Sequence, residues 1–281
     1  MNVAVTGASG YVGGAIAREF ERQGHSVLKL SRRTCAGNWQ SFSLGDDPSA
    51  IPWDGIDVLV HAAYDFAPKT WDDIRKGNIE PSRDLMTTAH RAGVTRIVFI
   101  SSISAFEGCI SLYGKAKLMI EAEALALGGT VIRPGLVWGG SPGGMMGSLE
   151  KIVRALPVVP YLSGAGGLRQ FLVHEEDLAQ AVVSLSCRDT DAEVFPVAHP
   201  ASLTLRQVVS GIAEKRKLRR MFFPVPWQFM MVFLKLAEGC GIPLPFRSDS
   251  LTGLVHGNPS VDFGTGDFSV SIRPFPEENS P

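Results

Sequence analysis

Residues 2 to 14 constrain the fold of this chain more than any other stretch. Asn2-Val3-Ala4-Val5-Thr6 is a short, mostly apolar run that predicts a buried strand. It breaks at Gly7-Ala8-Ser9-Gly10-Tyr11-Val12-Gly13-Gly14 and passes into a helical pattern with Val12, Ile16 and Phe20 on one face. Strand, glycine turn and helix in succession are the context that a dinucleotide-binding turn requires. Gly7 is expected to allow the sharp turn, Gly10 the close approach of backbone to a pyrophosphate, and Gly13 tight packing of helix on strand. The first free N–H groups of the helix then face the phosphates. Thr6, Ser9, Tyr11 and Val12 complete this candidate cofactor-binding set. The alternative is a plain βα turn that uses glycine for its geometry alone.

The same alternation continues. Ser26 to Leu30 predicts a second strand, and its end carries Ser31-Arg32-Arg33. An acid about 20 residues past the glycines would receive the ribose 2′-hydroxyl of NAD. None is present there, and two guanidinium groups suit a 2′-phosphate, so NADP is favoured over NAD. Asp57 to Ala63 predicts a buried strand ending in Ala62 and Ala63, small enough to let a cofactor pass. His61 is expected to bond nearby backbone and is given no catalytic role. A helix over Trp71–Ala92 carries Asn78, and the strand Thr95–Ser102 runs through Ile100 into serines. A helix over Leu112–Leu127, turning Ala116, Ile120 and Ala124 to the core, leads into Thr130-Val131-Ile132-Arg133-Pro134. Strands alternating with helices at this rhythm argue for an α/β fold, a doubly wound parallel sheet of Rossmann type. Gly7, Ala62, Ser102 and Pro134 fall at carboxyl ends of strands, where such sheets bind ligands. With 281 residues, a small mixed C-terminal substrate lobe is expected beside the sheet. The division places the dinucleotide-binding core at 1–135, with 171–200 returning to it, and the lobe at 136–170 and 201–281.

Composition narrows the function. The net charge of −1 provides no general field for nucleic acid. The local run Lys215-Arg216-Lys217-Leu218-Arg219-Arg220 reads as a solvated helix end or, alternatively, a polyanion site. Cys35, Cys109, Cys187 and Cys240 lie far apart, which argues against a zinc site or disulfide framework and suits a reducing cytoplasm. No signal peptide is legible, and no metal site is expected. Met221 to Ala237 is apolar but broken by Pro224, Pro226, Gln228 and Lys235, so no transmembrane segment is expected. Trp227–Leu236 either packs on the substrate lobe or touches a membrane. Phe222, Phe223, Trp227, Phe229 and Phe233 are expected in the core, some lining an apolar pocket. Gly139 to Gly144 reads as a mobile loop at the mouth of the site, either closing over substrate or serving as a plain surface connection, Leu203–Leu218 as an amphipathic helix, and Pro274–Pro281 as a frayed tail.

The chemistry centres on Tyr113-Gly114-Lys115-Ala116-Lys117. Tyr113 and Lys117, at i and i+4, share a helix face. A nearby ammonium is expected to lower the phenol from its ordinary pKa of about 10 by one to three units. Tyr113 then moves a proton, Lys117 positions the cofactor ribose, and Ser102 hydrogen-bonds the reacting oxygen.

These motifs resemble the extended short-chain dehydrogenases/reductases of the NAD-dependent epimerase/dehydratase (nucleoside-diphosphate-sugar epimerase) family. Thr6 to Gly13 is similar to that family's TGxxGxxG. Ile100-Ser101-Ser102 with Tyr113 to Lys117 resembles its catalytic serine and YxxxK. Arg133-Pro134-Gly135-Leu136-Val137-Trp138-Gly139 resembles the RPGxVYG segment, which implies cofactor contacts for Pro134 and Val137. Arg169 to Ala179 resembles a stretch whose arginine contacts a sugar nucleotide's diphosphate, and Asn78 matches an asparagine that supports the site. The resemblance implies hydride transfer at a hydroxyl or carbonyl carbon of a nucleotide sugar, by an epimerase, dehydratase or ketoreductase, with Ser102, Ser104, Leu136 and Arg169 toward substrate. It also implies a possible homodimer through the helices at 71–92 and 112–127.

Two departures bear on the substrate. Ser102 and Tyr113 are only 11 positions apart, and Leu136 stands where many relatives carry a phosphate-touching asparagine. An NADP-dependent reductase of an apolar ketone or steroid-like alcohol is the alternative, and a non-catalytic nucleotide-sensing or assembly subunit is the second.

Overall fold

The computed structural model describes residues 1–33, 37–140, 143–164, 168–188, 192–242, 244, 246–258, 260–263 and 270–276. Its apolar runs assemble into parallel strands, most of them joined by helices that return the chain to the same edge. β1 (Asn2–Thr6) leads into α1 (Tyr11–Arg22), then β2 (Ser26–Ser31) and a short β3 (Trp39–Ser41). β4 (Val58–His61) is followed by α2 (Trp71–Ile74), a π turn at Arg75–Ile79 and α3 (Glu80–Arg91). Next come β5 (Arg96–Ile100), α4 (Leu112–Ala126), β6 (Thr130–Pro134) and β7 (Leu136–Trp138). α5 (Gly144–Ala155), β8 (Val158–Ser163), β9 (Arg169–Gln170), β10 (Leu172–His174), α6 (Glu175–Ser186) and β11 (Val194–Val197) follow. β12 (Leu203–Thr204), α7 (Leu205–Lys215), β13 (Met221–Pro226), α8 (Trp227–Gly239) and α9 (Ser248–Val255) complete the order.

Seven strands form one parallel sheet in the order β11-β6-β5-β4-β1-β2-β3. Connections run outward in both directions from the β1/β4 boundary, the doubly wound arrangement. Successive residues on each strand serve opposite faces. Val3, Val5, Val58 and Val60 pack against Ile16 and Phe20 of α1 and Leu178 and Val182 of α6. Ala4, Leu59, Ile97 and Phe99 pack against Leu85 and Met86 of α3 and Ile120 and Ala124 of α4. A strand buried on both faces must be apolar throughout, as these are.

A second core lies over the carboxyl side, where Trp138, Met146, Val153, Val159, Leu172 and Val208 meet. β7 pairs with β10, β9 with β12 and β8 with β13. α7 begins at Leu205 rather than Leu203 because Thr204 and Gln207 form a capping box there. The tail expected to fray is anchored at Phe275, which is buried against Trp138 and over Gly211; residues 277–281 lie outside the described set. The glycine loop expected to be mobile is packed at its start. A side chain on Gly139 or Gly140 would collide with His174 or Glu175, and α5 begins at Gly144, while 141–142 lie outside the described residues.

The aromatic cluster departs most from expectation. Phe222 is half-buried on the second core, but Phe223, Phe229 and Phe233 are exposed. Helical or strand spacing defines a shared face without saying whether that face turns inward. Among the described residues, no helix is long and apolar enough to cross a membrane, and no metal-holding cluster of three ligands occurs.

Candidate active site

The turn after β1 sits at the boundary from which the sheet winds both ways. Gly7 has φ +67°, and a Cβ on Gly13 would lie 2.4 Å from the Gly7 carbonyl oxygen. α1 therefore leaves the sheet flush with the turn. Gly10 caps the helix without a side chain over its first N–H groups, so the residues present fit a dinucleotide pyrophosphate. Ser9 is exposed on the turn and Val12 is half-buried on the α1 side core. The Tyr11 hydroxyl donates to the Gly139 carbonyl at 3.0 Å, tying the turn to the exit of β7, and burial pushes this phenol up.

Beneath the turn, the Thr6 hydroxyl oxygen accepts the N–H groups of Ala62 and Ala63, each at 3.1 Å. Its own hydrogen then goes to His61 Nδ1 at 2.8 Å, which leaves Nε2–H to donate to Ser82 Oγ at 2.8 Å. His61 is thus bonded through two side-chain hydroxyls, not the backbone partners expected. Burial, aided by the Lys117 charge, pushes it down to about 3, so it is a neutral structural group. Ala62 and Ala63 have committed amides and offer only small side chains against the turn. At the end of β2, Ser31 Oγ bonds the Arg33 backbone, while the Arg32 and Arg33 side chains are exposed.

α4 carries the second half of the site. Ser111 caps it by accepting from Gly114 N, and Asp249 of α9 accepts from Leu112 N at 2.7 Å and Tyr113 N at 3.1 Å. A Cβ on Gly114 would lie 2.4 Å from the Ser104 carbonyl oxygen, so α4 begins flush against the loop that leaves β5. That contact brings Tyr113 close enough to Ser102 for the serine to act on the phenol. Ser101 instead faces Glu121, and Ser104 donates its N–H to Ser102 Oγ at 3.1 Å.

Lys117 is buried one turn along, its Nζ donating to the Ile100 carbonyl at 2.8 Å. The ammonium lies 4.7 Å from the Phe99 ring centre, 5.0 Å from Tyr64 and 5.9 Å from Tyr113. Burial pulls Lys117 down to about 7, against the opposing charge of Glu121. Glu121 is engaged by Arg133 through two bonds of 2.9 and 2.6 Å. The expected lowering of the Tyr113 phenol is not met. Burial pushes it up to about 12, with only the Ser102 hydrogen bond pulling the other way. Desolvation of a phenolate outweighs the pull of that serine.

Asn78, which the resemblance gives as a support of the site and a candidate cofactor contact, is fully buried on the π turn, accepting from Asp65 N at 2.7 Å and donating to Asp65 O at 3.0 Å. This clamp holds the segment after β4, whose Tyr64 and Phe66 rings lie 5.1 and 5.8 Å from that of Tyr113. Sequence reading missed both rings, as well as Asp249 and Glu121. Glu121 stands four residues after Lys117, a legible signal; the other three meet Tyr113 only through the fold. Pro134 is buried at the end of β6, and Leu136 and Val137 are half-buried on β7. Arg169, exposed on β9, donates to Ser202 Oγ at 2.7 Å and to its carbonyl at 2.8 Å.

A glycine turn at the switch point of a parallel sheet, with a tyrosine and lysine one turn apart beside it, defines a dinucleotide-binding α/β protein. The chain belongs to the NAD dependent epimerase/dehydratase family, whose model matches residues 3–195. It is 28% identical over 197 residues to a ceramide reductase of Caulobacter vibrioides, a match spanning 66% of this chain and 61% of that one. The chain thus aligns with less than two thirds of that relative's length. Among solved structures, gox2253 aligns over 98% of this chain and 94% of its own, with a TM-score of 0.75 at 20% identity. MoeE5, solved in complex with UDP-glucose and NAD, aligns over 80% of this chain and 85% of its own, with a TM-score of 0.67 at 22% identity. At those identities the likeness establishes the fold.

Proposed function

We propose that this chain is a nicotinamide-dependent reductase of an apolar carbonyl compound, with Ser102, Tyr113 and Lys117 as its catalytic residues. The observation that carries the reading is the grouping of Ser102, Tyr113 and Lys117, with Ser102 close enough to pull on the phenol and the Lys117 ammonium 5.9 Å from its ring centre. The Gly7–Gly13 turn would hold a nicotinamide dinucleotide, which when bound would supply hydride to the carbonyl carbon. Ser102 holds the carbonyl oxygen, and Tyr113 delivers a proton to it. A phenol held near 12 stays protonated at neutral pH and is set to act as an acid. Lys117 then opposes the charge left on the phenolate.

The apolar substrate class rests on the Tyr64 and Phe66 rings against Tyr113, and on Leu136. It also rests on Arg169 being bonded to Ser202. A nucleotide-sugar substrate is the second reading, favoured by the fold shared with a UDP-glucose complex. NADP is favoured over NAD by exposed Arg32 and Arg33 and the lack of a carboxylate between residues 26 and 33.

Steady-state oxidation of NADPH with a panel of long-chain and aromatic ketones, beside reduction of NADP⁺ and NAD⁺ and epimer formation with UDP-glucose, tests this. Tyr113→Phe is expected to lower kcat by about 10²–10⁴-fold, the usual worth of a general acid, with dinucleotide affinity intact. Near wild-type turnover in that variant would remove the assignment. Arg169→Ala should leave ketone turnover unchanged; a collapse confined to UDP-glucose would favour the second reading.

A further inference from the structure

Outside the site, the surface carries a broad apolar face. On α8, Phe229, Val232, Phe233 and Leu236 are all exposed, Phe229 by 72%. Their spacing of i, i+3, i+4 and i+7 puts them on one stripe, while Leu234 and Ala237 on the opposite side are buried. The strand leading into α8 adds Met221 and Phe223, exposed on one face of β13. Met221 is in register with exposed Val158 of β8, and Phe223 with Pro160. Monomeric proteins rarely leave a contiguous apolar face of this extent without a use for it.

Cations adjoin that face. Lys215, Arg216, Lys217, Arg219 and Arg220 immediately precede β13. Residues 205 to 242 hold seven Lys and Arg against Glu214 and Glu238, in a chain whose net charge is −1. Arg216 is paired with Glu150. Lys215 lies over the Trp138 ring and Arg220 donates to the carbonyls of Val153 and Arg154, contacts that leave both charges in place. Lys217 and Arg219 are exposed.

We propose that this face seats on an anionic lipid bilayer, with α8 lying in the interface and the Lys215–Arg220 run on the headgroups. Charge complementarity selects the occupant. A second copy of the chain meeting the same face by two-fold symmetry would bring like-charged clusters together. A bilayer offers an apolar layer directly beneath negative headgroups. At 13 residues α8 is about 20 Å long, against a hydrocarbon core of about 30 Å, so it lies in the plane rather than crossing. α8 packs on α9, whose Asp249 caps the helix bearing Tyr113, so the docked face leads toward the site. The inference does not depend on which substrate is reduced.

Co-sedimentation of the full chain with vesicles, needing no turnover, tests it. The protein should bind mixed phosphatidylcholine/phosphatidylglycerol vesicles, weaken with salt, and bind phosphatidylcholine alone far less. Lys217→Gln with Arg219→Gln should lower the partition coefficient about thirtyfold, the worth of two cations near an anionic surface. Phe229→Ser with Phe233→Ser should abolish binding. The glutamine pair alters only exposed positions, so it decides the matter even where the serine pair impairs folding. Failure to bind the mixed vesicles overturns the proposal, as does equal binding to neutral ones or a glutamine pair that partitions like wild type. So does a solution dimer that the serine pair converts to monomer, since the face would then belong to a second copy.

Discussion

Replacing Asp249 with alanine should loosen the first turn of α4 without unfolding the sheet. The carboxylate takes two backbone N–H groups, from Leu112 at 2.7 Å and Tyr113 at 3.1 Å, and places negative charge at a helix N-terminus. Hydrogen bonds to a charged group contribute about 1.5–3 kcal/mol each when dry, and the charge–dipole term adds about 0.3–1 kcal/mol. Leu112, Tyr113 and Asp249 are only half-buried, so water recovers much of this, leaving a local loss of about 2 kcal/mol. At about 1.4 kcal/mol per decade, that is roughly thirtyfold in the local opening equilibrium. Amide hydrogen exchange should therefore quicken about thirtyfold at Leu112 and Tyr113 and remain unchanged at Ile120. Asp249→Asn, which keeps one acceptor, should fall between. Unchanged protection at residues 112–113 would refute the cap. Equal acceleration along the whole of α4 would refute its local character.

Two further outcomes follow from the site. Lys117 titrates near 7 when folded, against about 10.4 when unfolded, so below pH 7 it is charged in both states and the full burial penalty is present. Between pH 7 and 10 the unfolded chain binds more protons, and this group's contribution to stability rises by at most about 1.4 kcal/mol per pH unit. Above pH 10 Tyr113 acts oppositely, because its folded pKa of about 12 lies above the unfolded value. Urea midpoints should climb from pH 7 to 10 in wild type and flatten in Lys117→Met; identical profiles would contradict the burial argument. Gly13→Ala would put a Cβ 2.4 Å from a backbone oxygen and 2.8 Å from its carbon, neither of which can swing away. A loss of about 1–3 kcal/mol on thermal unfolding and of NADPH binding by fluorescence is expected; a stable variant with normal affinity would show the turn is not tight.

The parallel sheet was legible because doubly buried strands are apolar throughout and glycine punctuates several of the turns between them. The grouping of Ser102, Tyr113 and Lys117 was legible because two of the three lie four apart on one helix. Other features were not. The π turn at Arg75–Ile79 leaves no periodic signature, so the helix expected across 71–92 concealed how Asn78 grips Asp65. Asp249 reaches α4 across 137 positions, a distance that no local pattern encodes. The aromatic residues of 222–233 share faces by spacing, and spacing is silent on whether a neighbour covers them. α5, β8 and β13 went unread because glycine and proline interrupt their periodicity.

The same burial that raises Tyr113 lowers Lys117, and the two shifts belong to one arrangement. Glu121 is the carboxylate that favours the charged lysine, yet it is gripped by Arg133 through two bonds and by Ser101 through a third. A carboxylate shared with a guanidinium leaves the ammonium undercompensated, while neutral His61 adds no second cation beside it. A phenolate formed alone in this enclosure is costly, and an ammonium alone is costly too. A phenolate at Tyr113 would stand beside Lys117 in its charged form, and each charge would remove part of the other's penalty. On the proposed reading, a phenol that burial holds protonated gives up its proton only as the substrate oxygen takes it, and not before.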